Sequence, residues 1–406
     1  MTLVSKTYWG GMPFWFRRPP EDAELESLVL RAHDLRQLRA LYWRGRKHPK
    51  PKIGVVLMHP RVDFTHHYAI PRLVAAGHAV LAANTRLAGN DAMGEHEEMV
   101  LDLGACVWHL LEKRGVEKVV LFANCGGASL GAFYQAEATK APSDRLKTSP
   151  AGNPTHFESA NLPKAHGIVY VAPHRGQGKV LEAAIDPSVT DEGDLLSVDP
   201  SLDMYDPNNG FREPPASSRY APEFLKRYRA AQTDRVKKID AIARSAIVFR
   251  EQAKTPRERA AEPMLIVYRT MANPAFVDDS IDPSPRDYGS LLSERPDLMN
   301  YAALGLARTC TPKAWLSTWS AVSSNADLVK NVAGIHEPTL VVHAERDREI
   351  FPADIKAVMD AIAAPDRRLV TLDARHYFEP EPGEKEAPAV EKLMDVVLPW
   401  IEERFA

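Results

Sequence analysis

Cysteine is scarce in this sequence: Cys106, Cys125 and Cys310 are the only three in 406 residues. Their number is odd and no two stand in CxxC spacing, which argues against a disulfide framework or a zinc site and fits a reducing, cytoplasmic setting. An excess of charge is missing as well. Lys+Arg number 51 against 54 Asp+Glu, a formal net charge of −3, and without a long basic run there is no surface suited to tracking phosphates, so nucleic acid is not an expected partner. No stretch approaches the roughly 20 apolar residues a membrane helix needs. Even VVLFANCGGASLGAF is short and polar in its middle, so no membrane partner is expected. The opening MTLVSKTYWGGMPFWFRRPP lacks the charged, apolar and small-residue order of a secretory signal. No internal repeat is present. What the sequence does have is 45% hydrophobic residues, enough for one large core or a core with an inserted domain.

The pattern of that hydrophobicity gives the organisation. SLVLRAHD and LRQLRALYWRG read as an opening antiparallel hairpin. IGVVLMH is then a short, nearly continuous apolar run, as expected of a parallel strand buried on both faces, and YAIPRLVAAG reads as the helix after it. The unit recurs in HAVLAANTR, EEMVLDLGACVWHLLEKRG, VEKVVLFAN and CGGASLGAFYQAEATK, and after a polar loop over about 141–165 the run GIVYVAP supplies a further strand. Alternating strands and helices predict a mostly parallel sheet covered on both sides. From 175 to 330 the rhythm is lost to proline-bearing acidic loops and helical stretches, read as a cap inserted between a first core part, 1–174, and a second, 331–406. In the second part PTLVVHAERD, PADIKAVMDAIAA, RRLVTLDARH and a final helix around VEKLMDVVLPWIEERF resume the alternation.

Within VVLFANCGGASLG, Cys125 stands directly after a strand and before a helix, with Ala123 and Gly127 two residues to either side. A sharp strand-to-helix turn forces its central residue into a strained conformation and tolerates only small neighbours. The helix that follows turns its amide groups and positive dipole end towards the sulfur, favouring thiolate, and makes the Gly126 N–H a candidate oxyanion donor.

Here the chain resembles the α/β-hydrolase superfamily, whose nucleophile elbow reads G-x-[S/C]-x-G; Ala123 replaces the usual first glycine. The resemblance runs over about 25–173 and 335–405, and it implies an α/β-hydrolase fold with a mainly helical cap. It also implies an acid after a late strand, matched by Asp347 in PTLVVHAERDREIFP, and a base after the next strand, matched by His376 in LVTLDARHYFEP. The order nucleophile, acid, histidine is the one this fold uses. A second oxyanion donor is implied in LMHPRVDF, by position the N–H of Arg61, with Val62 the alternative because Pro60 has no N–H.

Other candidates stay open. Cys106 and Cys310 read as small core hydrophobes, Ser129 as helix packing, and Asp373 as a less suitable acid because it falls inside a strand. His59 reads as scaffold of the oxyanion loop; His66 or His67 as a pocket residue or a helix cap. Trp315 and Trp319, four apart on one helix face, form either core or an aromatic wall over the substrate. The charges of RYRAAQTDRVKK read as a solvated face. No metal site or cofactor is indicated. The resemblance implies a hydrolase of an ester, lactone or thioester working through a Cys125 thioester, similar in its nucleophile to dienelactone hydrolases, on a bulky or apolar small-molecule acyl substrate enclosed by the cap. The alternatives are acyl transfer to an alcohol, amine or thiol, as in the polyhydroxyalkanoate synthases, and a binding protein without turnover. Oligomeric state is not legible.

Overall fold

In a computed structural model of the chain, residues 22–406 are described except 91, 382, 383 and 385; the N-terminal segment read above for a signal lies outside them. Strands β1 (Ala23–Arg31) and β2 (Gln37–Gly45) form the predicted antiparallel hairpin. Then follow β3 (Ile53–His59), α1 (Ile70–Ala75), β4 (Ala79–Asn84), α2 (His96–Trp108), β5 (Lys118–Asn124), α3 (Gly126–Ala138) and β6 (Gly167–Val171). The long middle segment contains α4 (Gln177–Ala184), the 30-residue α5 (Pro222–Glu251) and a two-stranded pairing of Leu265–Ile266 with Thr309–Cys310. The chain closes with β7 (Thr339–Ala344), α6 (Pro352–Ala361), β8 (Arg367–Leu372) and α7 (Pro388–Phe405).

Eight strands make one sheet in the order β1-β2-β4-β3-β5-β6-β7-β8. The first two pairings are antiparallel and the rest parallel. Alternation along the strands divides the core into two layers. Val55, Leu57, Val120 and Phe122 face α1 and α7, whereas Val56, Met58, Leu121 and Ala123 face α2, α3 and α6. Burial on both faces is what a parallel strand with helical crossovers requires, and it explains why β3 is buried at every position. β6 and β7 are neighbours in the sheet although more than 160 residues separate them, so the whole middle segment leaves and rejoins the sheet at adjacent strands. No helix among the described residues is long and apolar enough to cross a membrane.

The consequence for chemistry is positional. β3, β5, β6 and β7 all point the same way, so their carboxyl ends gather His59, Cys125, His174 and Asp347 along one edge, with His376 following β8. Open parallel sheets bind their ligands in the crevice beyond that edge.

Candidate active site

Cys125 sits between the last residue of β5 and the first of α3, with φ 53° and ψ −123°, a conformation that non-glycine residues avoid and that the surroundings must hold in place. They do so from three sides. The Cys125 N–H donates to Val171 O at 3.0 Å, and the side chain of Asn124, one residue before, donates to the same carbonyl at 2.9 Å. Asn124 Oδ1 in turn accepts from Tyr68 Oη at 3.0 Å and from His67 Nε2 at 3.2 Å. The His67 proton is on Nε2 because Nδ1 accepts from the Ala69 N–H; burial pushes this imidazole's pKa down to about 3. Gly127 is required by packing, since a Cβ there would lie 2.6 Å from the Met58 carbonyl oxygen. Ala123 stands where the resemblance has glycine and faces Gly131, with room to spare: even a Cβ on Gly131 would stand 3.5 Å from the Ala123 Cβ.

Asp347 follows β7 in a tight turn. Its Oδ1 accepts the N–H groups of Glu349 and Ile350 at 2.8 and 3.1 Å, which leaves Oδ2 for His376 Nδ1 at 2.6 Å. Both side chains are buried. His376 Nε2 has no hydrogen-bond partner among the described residues. A ring nitrogen of His376, the Cys125 sulfur and a Glu349 carboxylate oxygen all lie within 4.8 Å of one another. Burial opposes charging the His376 ring, but the Asp347 carboxylate and the Cys125 sulfur outweigh it and hold the imidazolium well above its ordinary pKa. The Tyr377 hydroxyl donates to the Cys125 sulfur at 3.8 Å. Thus the structure brings together the three residues that the resemblance matched.

The two amides expected to offer a second oxyanion donor are both bonded to a neighbouring ring. The N–H groups of Arg61 and Val62 both donate to His59 Nδ1, at 3.1 and 3.0 Å, so these amides are engaged by the ring. The bonds also fix that ring: with Nδ1 as acceptor, the proton of the neutral imidazole is on Nε2, which is buried and without a partner. Burial, then the neighbouring His174 and Arg61, hold His59 well below its usual pKa and hence neutral. His174, after β6, is built the same way, with Nδ1 accepting from the Gly176 N–H at 3.1 Å and burial lowering its pKa to about 3. A Cβ on Gly126 would meet Gln177 Nε2 at 2.7 Å, His59 Nε2 at 2.8 Å and His174 Nε2 at 2.9 Å.

Sequence reasoning missed His174, Gln177 and Glu349. The signal for the first was present, a histidine three residues past the end of a buried parallel strand. Glu349 stands two residues past Asp347, and burial, reinforced by Asp347, raises its carboxyl pKa against the pull of His376 and Arg61.

The structure places the remaining candidates as follows. His66 is exposed and meets the edge of the Trp43 ring 6.5 Å away, outside the pocket; the strand end and helix entry place it on the outer side of the turn. Trp315 and Trp319 are fully buried in a π turn, Trp315–Trp319. The Trp315 indole donates to Asp240 of α5 at 2.7 Å, and the Trp319 ring lies 4.8 Å from the Arg61 guanidinium. They join the middle segment to the core and do not line the cavity described next. Of the charges read as a solvated face, Arg235 is buried, donating to Asp186 O and paired with Glu192. Ser129 donates to Gly126 O within α3, and Cys106 and Cys310 are buried, as expected; Asp373, expected inside a strand, instead lies one residue past the end of β8, exposed near Arg346.

A cavity of about 290 Å³ reaches the site at His174 and Glu349 and extends between α4 and α5, past Lys179, Arg229, Gln232 and Asn273. Cys125, Glu349 and His376 are the one group of three His, Cys, Asp or Glu side chains among the described residues placed to share a metal ion.

No protein-family model and no curated protein matches this sequence. Solved structures do match. DcsB, determined in complex with its substrate analogue, aligns with a TM-score of 0.50 at 12% identity over 94% of this chain and 100% of its own. The α/β hydrolase GrgF from Penicillium sp. sh18 gives 0.48 at 10% over 94% and 99%. The Pyrococcus furiosus esterase Pf2001 gives 0.46 at 12% over 97% and 99%. At 12% identity the likeness to DcsB is one of fold, and with the order and direction of the strands in the sheet the chain has an α/β-hydrolase fold.

Proposed function

We propose that this protein is an acyl hydrolase that cleaves an ester, lactone or thioester through a thioester on Cys125, with His376 as base and Asp347 as its orienting acid. The observation that carries the reading is the arrangement of His376, tied through Nδ1 to Asp347 at 2.6 Å, with its other nitrogen unpartnered beside a sulfur held on a strained turn at φ 53°.

The chemistry follows from those groups. His376 takes the Cys125 proton and Asp347 supports the charge that results. The thiolate adds to the acyl carbonyl, the intermediate collapses as His376 returns the proton to the leaving group, and water repeats the sequence on the thioester. The cavity that reaches the site at His174 and Glu349 is lined by Lys179, Arg229, Gln232 and Asn273 and also by Val180, Phe276, Ile350 and Phe351, which suits an acyl group with both polar and apolar parts.

Purified protein with activated aryl esters and acyl thioesters tests the proposal. Cys125→Ala and His376→Ala should each cut turnover by roughly 10⁴- to 10⁶-fold, and intact mass should reveal the acyl group on the wild-type chain only. Unchanged turnover in Cys125→Ala would refute it. The same assay with an added alcohol, amine or thiol separates hydrolysis from acyl transfer, and absence of any Cys125-dependent turnover would favour a binding role.

A further inference from the structure

We infer that the oxyanion of the tetrahedral intermediate is held by side chains, the Nε2–H groups of His59 and His174 and the side-chain amide of Gln177, converging on the space over Gly126. The inference rests on the Cys125 reading given above and adds to it the site where the reacting oxygen is stabilised.

Three nitrogens from separate elements lie 2.7, 2.8 and 2.9 Å from one point next to the Gly126 Cα. All three side chains are at least nine-tenths buried. Each imidazole has its proton placed by the backbone. His59 Nδ1 accepts from two amides and His174 Nδ1 from one, which leaves Nε2 of each ring as donor. Burial without a partner is costly for a polar N–H, of order 1–3 kcal/mol; His59 Nε2 is buried without one, and an oxygen standing off the Gly126 Cα at van der Waals distance, beyond this point, would satisfy it. The nitrogens approach this closely only because residue 126 is glycine, since a Cβ there would lie within 3.0 Å of all three. Gly126 also opens α3, so its own N–H has no carbonyl one turn back within the helix and joins the same hole.

In the acylation step the Cys125 sulfur forms a bond to the carbonyl carbon and the carbonyl π pair moves onto oxygen. That oxygen is negative until the pair returns and the bond to the leaving group breaks. Donors already aimed at it need not reorganise as charge develops. Neutral imidazoles serve here without competing with His376 for charge, and burial keeps both rings in that form.

The test compares two reactions of the same sulfur in the full-length protein. Acylation by an activated aryl ester passes through an oxyanion, whereas alkylation by iodoacetamide is a displacement that forms none. His174→Phe keeps the ring shape and Gln177→Met the length, and each removes a donor; His59→Gln keeps an Nε2 donor. Loss of one donor should slow acylation by about 10²- to 10³-fold while alkylation proceeds at the wild-type rate, and His59→Gln should fall less than His59→Phe. Acylation unchanged in both His174→Phe and Gln177→Met overturns the inference, and so does an equal fall in acylation and alkylation, which would assign these residues to holding the thiolate. If instead Cys125→Ala leaves wild-type turnover intact, the nucleophile assignment fails and the donor inference with it, a result separate from either of the others.

Discussion

Gly127 and Gly131 stand one turn apart on α3, yet the same substitution should act on them with opposite sign. A Cβ at 127 would meet the Met58 carbonyl oxygen at 2.6 Å, whereas ordinary contact begins at 3.4 Å, so α3 and β3 must part by about 0.8 Å. The obstacle is backbone in the middle of the sheet and cannot rotate away. Overpacking of this kind costs about 1–3 kcal/mol, which exceeds the propensity gain available in a first helical turn. A Cβ at 131 would stand 3.5 Å from the Ala123 Cβ and 3.8 Å from a Leu121 methyl, so replacing glycine in the helix interior should stabilise by about 0.8–1.0 kcal/mol. The two differ for function as well. An opening of this size moves Gly126 and the Cys125 turn, and a displacement of about 1 Å can cost roughly 10²-fold in rate. Urea unfolding with kcat/KM for an activated ester measures both effects: Gly131→Ala should raise the midpoint and keep activity, and Gly127→Ala should lower both. A Gly127→Ala protein as stable and as active as Gly131→Ala would refute the claim that the α3–β3 contact holds the elbow in place.

Asp347→Asn keeps the shape of the turn but favours the wrong His376 tautomer, and kcat should fall by about 10⁴-fold; a wild-type kcat would remove Asp347 from the triad. His67 carries a folded pKa of about 3 against about 6.5 unfolded, so the native state binds fewer protons and stability is lost as pH falls from about 6.5 towards 3. His67→Gln, which can still reach Asn124, should flatten the dependence of unfolding free energy on pH by about 1.4 kcal/mol per unit in that window. An unchanged slope between pH 6 and pH 4 would show that the ring titrates normally. Arg269 and Asp186 are both fully buried and paired at 2.7 Å, with Asn300 donating to the same carboxylate oxygen. Arg269→Ala should destabilise by about 3–5 kcal/mol by leaving that carboxylate without its cation, and adding Asp186→Asn should recover part of the loss; equal unfolding midpoints for wild type and Arg269→Ala would show the pair to be dispensable.

Much of the fold was legible because its signals are local. Buried parallel strands such as IGVVLMH and VVLFAN show as unbroken apolar runs, and the small residues around Cys125 record a turn whose strain allows nothing larger. The long helix α5 was visible from its periodicity, but the inward turn of Arg229 and Arg235 was not, since a charge on a helix face reads as solvated until the partner that buries it is known. His66 and His67 are adjacent in sequence and alike in composition; only the packing of β3 against β5 turns one to solvent and the other to Asn124. For Trp315 and Trp319 core packing was the first reading and a pocket wall the alternative, and the contact of Trp315 with Asp240 on a distant helix accords with the first.

By itself, then, the sequence determined that Cys125 stands at a turn between a strand and a helix, because that signal is local, and its resemblance to the α/β-hydrolase pattern pointed to Asp347 and His376. The tertiary structure alone decided what gathers around Gly126. His59 comes from the end of β3, His174 and Gln177 from the segment after β6, and Gly126 from the start of α3; nothing in any one of these segments records the others. They converge because parallel strands bring their carboxyl ends to one edge, and the imidazole protons are placed by backbone amides that exist in that geometry only when the loops are folded.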